Sequence, residues 1–455
     1  MKKLGRKKLG RMYRGIDGKL YDENHIPRPF SLTKPIHCES SIQQIAVQLL
    51  AQQGAGPLGL TILNIGFSER FSTTCIGVLS EEKLQIDSSA CLLPVAIVLG
   101  KFRGLSEHSS PGTIQKATRL LDGNAVGLDR SLRRNGLRTL ADPQGANTTG
   151  PPILPGSSIS TVNNGDTAGS AGIYIRPKIS SEAYPSGQPF LLTASHVVKQ
   201  LDSTSFESYG QPLPASVEDV RVANIISPGK LHILKRLSGL QIRGLFNATT
   251  VAPWVSAAER TCGRVIAGRL GVDGSSWRQD VAVLHVDSEY SGKNGVWHDF
   301  PEFLQLFHEM GGNDAAFVGK IIGAADRSSF NGLCYKNGSA SGWSAGKFHS
   351  HTVELFLKGT TFPVEEDARN IHPENVRALV EIVQAAENSK VFAEAGDSGA
   401  PILSPTLDGR NFVFCGMVIG AFDPQAGERA VFAVPQSRTF DQIHGLTGVE
   451  WELDI

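Results

Sequence analysis

The chain has 455 residues, more than one hydrophobic core usually holds, so its length predicts two domains. Its 44 basic and 44 acidic side chains cancel to a formal net charge of zero, which removes any general electrostatic case for nucleic acid or a membrane surface. With 40% hydrophobic and 19% charged residues, 49 glycines and 24 prolines, the composition argues against a long helical bundle and for a turn-rich, mostly β protein.

The opening run MKKLGRKKLGRMYR carries seven basic side chains and no acid, and predicts a solvated, disordered tail over residues 1–34. The same run also suits a nuclear address, an anionic surface or a transit segment. No apolar core of a signal peptide follows it, and no apolar stretch is long enough to span a bilayer, so the expected compartment is cytoplasmic or nuclear. Six cysteines at 38, 75, 91, 262, 334 and 415 include no C-x-x-C pair and read as free thiols, with no zinc site.

Residues 35–142 are expected to form a small α/β or α+β domain of unknown role. SSIQQIAVQLLAQQ has helical spacing, and LGLTILNIGF and CLLPVAIVLGKF read as strands. Gly54 to Gly59 match G-x-G-x-x-G, but the order there is helix to strand. A dinucleotide site needs strand to helix, so no cofactor is implied. Residues 107–140 look partly helical, and the Pro, Gly, Ser and Thr content of 143–165 predicts a linker. From 166 to 455 short apolar runs alternate with Gly and Pro, among them PFLLTASHVV, LQIRGLF, DVAVLHVD and NFVFCGMVIGAF. That texture predicts an antiparallel barrel or sandwich. HDFPEFLQLFHEM and ENVRALVEIVQAAENS are expected to be helical insertions, and RTFDQIHGL a final helix.

Three residues carry the functional argument. AGDSGAP places Ser398 close to two glycines, where turn chemistry and the aiming of a nucleophile are both served. His196 stands near the end of an apolar strand, and Asp280 begins another, where a buried acid is costly unless paired. Each alone is an ordinary core or turn residue; in the order His, Asp, Ser they match one of the chain orders that build a catalytic triad. Asp287 is an alternative orienting acid. His349 and His351 alternate on an expected strand without a third ligand, which favours an exposed face over a metal site.

With Thr193-Ala194-Ser195-His196, Asp280-Val281-Ala282-Val283-Leu284 and Gly396-Asp397-Ser398-Gly399, residues 165–450 resemble the chymotrypsin/trypsin-like serine peptidases, in a branch without the secreted enzymes' disulfides. NGSASGWSAG and the stretch from Phe412 to Phe422 add weaker likeness. The resemblance implies a double antiparallel β-barrel and an endopeptidase acting through an acyl-enzyme on Ser398. His196 would be its general base, Asp280 its orienting acid, and the N–H groups of Gly396 and Ser398 its oxyanion hole. No Ile-Val-Gly-Gly-like start precedes the first strand, so Asp397 must find another partner. Counting back to the specificity pocket reaches Phe392, with Glu394 a weak acidic candidate and apolar walls favoured. The implied partner is a protein or peptide substrate. Rival readings are a catalytically silent binding module, and an amino-terminal region that recruits a partner or inhibits until the linker is cut.

Overall fold

Runs of β-branched and aromatic residues broken by Gly and Pro favour short paired strands. A computed structural model describes residues 12–14, 20–22, 28–30, 39–51, 58–68, 71–89, 91–104, 107–108, 152–162, 167–198, 224–242, 244, 247–272, 278–295, 297, 300–312, 317–325, 332–357, 376–386, 391–425 and 427–455. The chain begins with β1 (Met12–Arg14), β2 (Leu20–Asp22), β3 (Arg28–Phe30), α1 (Glu39–Ala51), β4 (Leu58–Ser68), β5 (Phe71–Ser80), β6 (Val95–Gly104) and β7 (Glu107–His108). Next come β8 (Ser158–Thr161), β9 (Thr167–Ser170), β10 (Tyr174–Pro177), β11 (Phe190–Thr193), α2 (Ser195–Val198), β12 (Asn224–Ile226), α3 (Lys230–Ile242), α4 (Ala248–Glu259), β13 (Gly263–Val272) and β14 (Arg278–Val286). The last part holds α5 (Phe300–Glu309), β15 (Ile321–Ala324), β16 (Leu333–Gly338), β17 (Gly342–Phe348), β18 (Val353–Leu357), β19 (Val376–Ala385), β20 (Pro401–Pro405), β21 (Phe412–Pro424), β22 (Ala430–Pro435), α6 (Gln436–Thr447) and β23 (Trp451–Leu453).

The protein is mostly β, with two curled sheets that resemble a double β-barrel. One sheet runs β23-β10-β11-β14-β13-β12-β8-β9-β7. In the other, β20, β16, β17, β19, β22 and β21 pair in a closed ring, which leaves those strands no free edge. No helix among the described residues is long and apolar enough to cross a membrane.

Several sequence expectations change. ENVRALVEIVQAAENS is not a helix: its middle is β19, with Val380, Ile382 and Val383 buried between β17, β18 and β22. Pairing on both edges overrides a weak helical period in a segment rich in β-branched residues. Leu240–Ile242, expected in a strand, ends α3, whose Ile233, Leu237 and Leu240 recur at helical spacing against Trp254 and Ala257 of α4. In the tail, β1 pairs with β2 and β3 with β4. The expected helical stretch at 107–140 begins as β7, and residues 109–140 lie outside the described residues.

Part of the segment expected as a linker, 143–165, is a strand. Residues 143–151 lie outside the described residues, but β8 is a buried strand of the first sheet. Its Ser158 and Ser160 hydroxyls accept the Gly229 and Lys230 N–H groups at 3.1 and 3.0 Å. Serine thus serves the interior here, although its composition looks like that of a linker. β4, β5 and β6 are not a separate sheet either: β4 pairs with β18, and β6 with β21. α1 and β4–β5 keep a small core of their own, where Ile45 and Leu49 meet Leu58, Leu60, Ile76 and Val78.

The helix expected at HDFPEFLQLFHEM is present as α5 and packs on β16, β17 and β21 of the second sheet. Phe303 is fully buried, with ring centroids 4.7 Å from Trp343, 5.1 Å from Phe412 and 5.3 Å from Tyr335. Phe303→Ala should lower stability by about 3–5 kcal/mol through the cavity it leaves. A lower urea midpoint at unchanged slope checks this.

Candidate active site

Sheet register brings the first two residues together. β11 pairs antiparallel with β14, Thr193 opposite Ala282, so the turn after β11 falls beside the start of β14. His196 stands in α2 at that turn, and its Nδ1 is 2.7 Å from Asp280 Oδ2. Its main-chain N–H donates to Asp280 Oδ1 at 3.1 Å, so one carboxylate fixes both ring and backbone. Asp280 N–H in turn donates to Gln442 Oε1 of α6 at 3.4 Å. Asp287 lies at the other end of β14, 3.8 Å from His285 rather than His196.

Ser398 comes from the second sheet, in the turn before β20. Its carbonyl accepts the Ser170 N–H of β9 at 2.7 Å, and the next residue's N–H, on Gly399, donates to Val418 O of β21 at 2.9 Å. The serine is thereby tied to both sheets, and its Oγ lies 2.7 Å from His196 Nε2. His196, Asp280 and Ser398 are all buried.

The turn needs its glycines. Gly396 has φ +106° and Gly399 φ +88°, left-handed values that side chains rarely adopt. A Cβ at Gly399 would also stand 2.3 Å from Ser170 O. The Gly396 carbonyl accepts from Ser170 Oγ at 3.0 Å and Ser339 Oγ at 2.6 Å, which fixes the peptide that follows it. The N–H groups of Gly396 and Ser398 donate to no acceptor among the described residues.

Asp397, between them, is fully buried and pairs with Lys336 of β16, Nζ to Oδ2 3.0 Å, itself fully buried. The carboxylate also accepts Ser341 Oγ at 2.6 Å and the N–H groups of Glu394, Ala340 and Ser341 at 2.8, 3.0 and 3.2 Å. Burial pushes Asp397 up, but Lys336, the Ser341 hydroxyl and the Glu394 amide outweigh it and hold the carboxyl below its ordinary range. Burial lowers the Lys336 ammonium, against the pull of Asp397. Sequence reasoning asked for a partner to Asp397 and missed Lys336. The sequence offers only a weak signal, a lysine between Tyr335 and a glycine-rich turn; that its strand pairs on both edges is known from the structure.

α3, also missed, covers the same turn. A Cβ on Gly396 would meet Ala340 Cβ at 3.0 Å and His232 Nε2 at 3.2 Å. Burial pushes the His232 imidazole down to about 4, with Asp397 pulling the other way, so the ring is neutral at neutral pH. Burial likewise lowers Lys235 to about 8, opposed by the exposed Glu394. Phe392, the expected pocket base, is buried, its carbonyl accepting Ser344 Oγ at 2.7 Å. His349 does not lie on an exposed face: it is buried, and its Nε2 bonds to Ile62 O at 2.5 Å. No group of three or more His, Cys, Asp or Glu among the described residues is placed to hold a metal.

Lys336→Met should destabilise the protein by about 3–5 kcal/mol, because it leaves a buried carboxylate without its cation. Adding Asp397→Asn should restore part of that loss in urea denaturation. In the wild type, the Asp397 contribution should be full above the ordinary carboxylate range and fade as pH falls through its depressed native value.

No family model and no curated protein matches the chain. Among solved structures it is similar to protease A of Thermobifida fusca, at 14% identity and TM-score 0.32 over 66% of this chain and 98% of that one. It is similar to a glutamic acid specific serine protease that uses a histidine triad in substrate binding, at 12% and 0.32 over 66% and 100%. It is also similar to the chymotrypsin of Cellulomonas bogoriensis, at 14% and 0.31 over 65% and 96%.

Proposed function

We propose that the chain is a serine endopeptidase. The observation that carries this reading is the hydrogen-bonded series from Asp280 Oδ2 through both His196 nitrogens to Ser398 Oγ, 2.7 Å at each link. A serine hydroxyl is a weak nucleophile until a base within hydrogen-bond reach takes its proton. His196 Nε2 is that base, and Asp280 keeps the Nδ1 proton in place and balances the charge that forms on the ring. The oxyanion of the tetrahedral intermediate would sit on the Gly396 and Ser398 N–H groups, in a turn held by the Asp397–Lys336 pair. The departing nitrogen takes the proton from His196, and water then releases the acyl group from Ser398.

A second reading, a silent binding module, is favoured by one observation: Ser398 has no exposed surface. A fluorophosphonate, which modifies activated serines, separates the two. The full chain should take up one phosphonyl group at Ser398, and uptake should be absent in Ser398→Ala. His196→Ala and Asp280→Asn should slow it by about 10⁴-fold, since the loss of either leaves the hydroxyl without a correctly oriented base. Uptake unchanged in His196→Ala would defeat the proposal.

A further inference from the structure

Among the described residues, hydrogen bonds hold every peptide from Glu394 to Gly399 except one. The Glu394 carbonyl accepts the Asp397 N–H at 3.0 Å, and the Asp397 carbonyl accepts the Ala400 N–H at 2.9 Å. The Gly396 carbonyl accepts the Ser170 and Ser339 hydroxyls, and the Ser398 carbonyl and Gly399 N–H are both bonded. The peptide joining Ala395 to Gly396 is the exception: neither its carbonyl nor its N–H is hydrogen-bonded among the described residues. That peptide carries the Gly396 N–H, one of the two donors proposed for the oxyanion. Flipping it would put a carbonyl where a donor is needed. Gly396 has φ +106°, and glycine adopts positive and negative φ about equally, so its backbone alone does not oppose the flip. Packing has to oppose it instead.

Two groups bear on Gly396 at its α-carbon. A Cβ built there would lie 3.0 Å from Ala340 Cβ, between β16 and β17, and 3.2 and 3.5 Å from His232 Nε2 and Cε1. His232 has no exposed surface and stands in the first turn of α3, which the first sheet places. Ser227 Oγ donates to Ser158 O of β8 at 2.9 Å, just ahead of the Gly229 and Lys230 N–H groups that bond to Ser158 and Ser160. The His232 N–H then donates to Gly229 O at 2.9 Å. Lys235 follows one helical turn later on the same side of α3; burial lowers its ammonium, and Glu394 draws it back up. α3 therefore runs alongside residues 394–396. Because burial, against the pull of Asp397, keeps the His232 ring neutral at neutral pH, packing it there strands no charge.

We propose that His232 is a positioning residue for the oxyanion hole: with Ala340, its ring fixes the Gly396 α-carbon and so keeps the Ala395–Gly396 peptide with its N–H turned to the site. The inference rests on the serine endopeptidase reading and adds to it a residue of α3 that moves no proton. The contacts from Asp280 through His196 to Ser398 do not involve this ring, so they stand without it, whereas the donor does not. Loss of the ring therefore acts where charge collects on the substrate oxygen, after the substrate is bound. The first sheet then supplies, besides His196 and Asp280, a support for the oxyanion side of the second sheet's turn.

Labelling of the full chain with a fluorophosphonate at increasing concentration tests this, because the phosphoryl oxygen takes up charge where the oxyanion would. His232→Ala should lower the maximal labelling rate by about 100-fold, the loss of one oxyanion donor, and leave the half-saturating concentration unchanged. His232→Phe keeps a flat ring without its nitrogens and should restore most of the rate. If His232→Ala shows no urea transition, and so is not folded, His232→Leu replaces it with the same expectations. His232→Ala labelled at the wild-type rate overturns the role, and so does a loss confined to the half-saturating concentration. His232→Phe as slow as His232→Ala also overturns it, since the effect would then belong to the imidazole nitrogens. Any of these beside a labelled wild type leaves the endopeptidase reading standing. Absence of label from the wild type removes that reading itself, and this role with it.

Discussion

The buried ion pair between Asp397 and Lys336 is the constraint on which the site depends. A carboxylate and an ammonium without solvent exposure are costly unless each meets the other and the remaining hydrogen-bonding capacity is filled. Here the carboxylate draws the 340–341 turn, the Glu394 amide and the lysine around one point. That point is the residue before the serine. The pair need not add net stability to matter, because any other conformation of the turn would strand a charge. Its effect is to select one conformation of residues 394–399.

From that turn the geometry spreads to both sheets. Ser170 gives its N–H to Ser398 O and its hydroxyl to Gly396 O, while Gly399 reaches β21. Three residues of the second sheet's turn are thus fixed against strands of both sheets. His196 and Asp280 belong wholly to the first sheet, so the serine meets the histidine only if the two sheets dock as they do. The aromatic cluster around Phe303 packs the second sheet's β16, β17 and β21. The meeting of Ser398 with His196 and the packing of the two sheets are therefore one problem, and β6 enters it by pairing with β21.

Much of this was legible in the sequence, and the reasons are local. Apolar runs near whose end His196 stands and at whose start Asp280 stands mark strands, and the glycines around Ser398 mark a turn with positive φ. Lys336 is only weakly legible, as a lysine between Tyr335 and a glycine-rich turn, because a lysine in a strand reads as solvent-facing until its partner is known. β8 reads as linker because serines look polar even when buried, here with their hydroxyls accepting the Gly229 and Lys230 N–H groups. β19 was misjudged because helix and strand periods overlap in a short apolar run. The pairing of β6 with β21 joins residues more than 300 positions apart, and no local pattern announces such a contact.

The most direct measurement of the central geometry is the proton spectrum of the full chain in water. A proton held between His196 Nδ1 and Asp280 Oδ2 at 2.7 Å lies in a short, charge-assisted hydrogen bond and is strongly deshielded. A single resonance far downfield of the amides is expected, retained in Ser398→Ala and absent in His196→Ala. No such resonance, or one that survives His196→Ala, would contradict the pairing of His196 with Asp280.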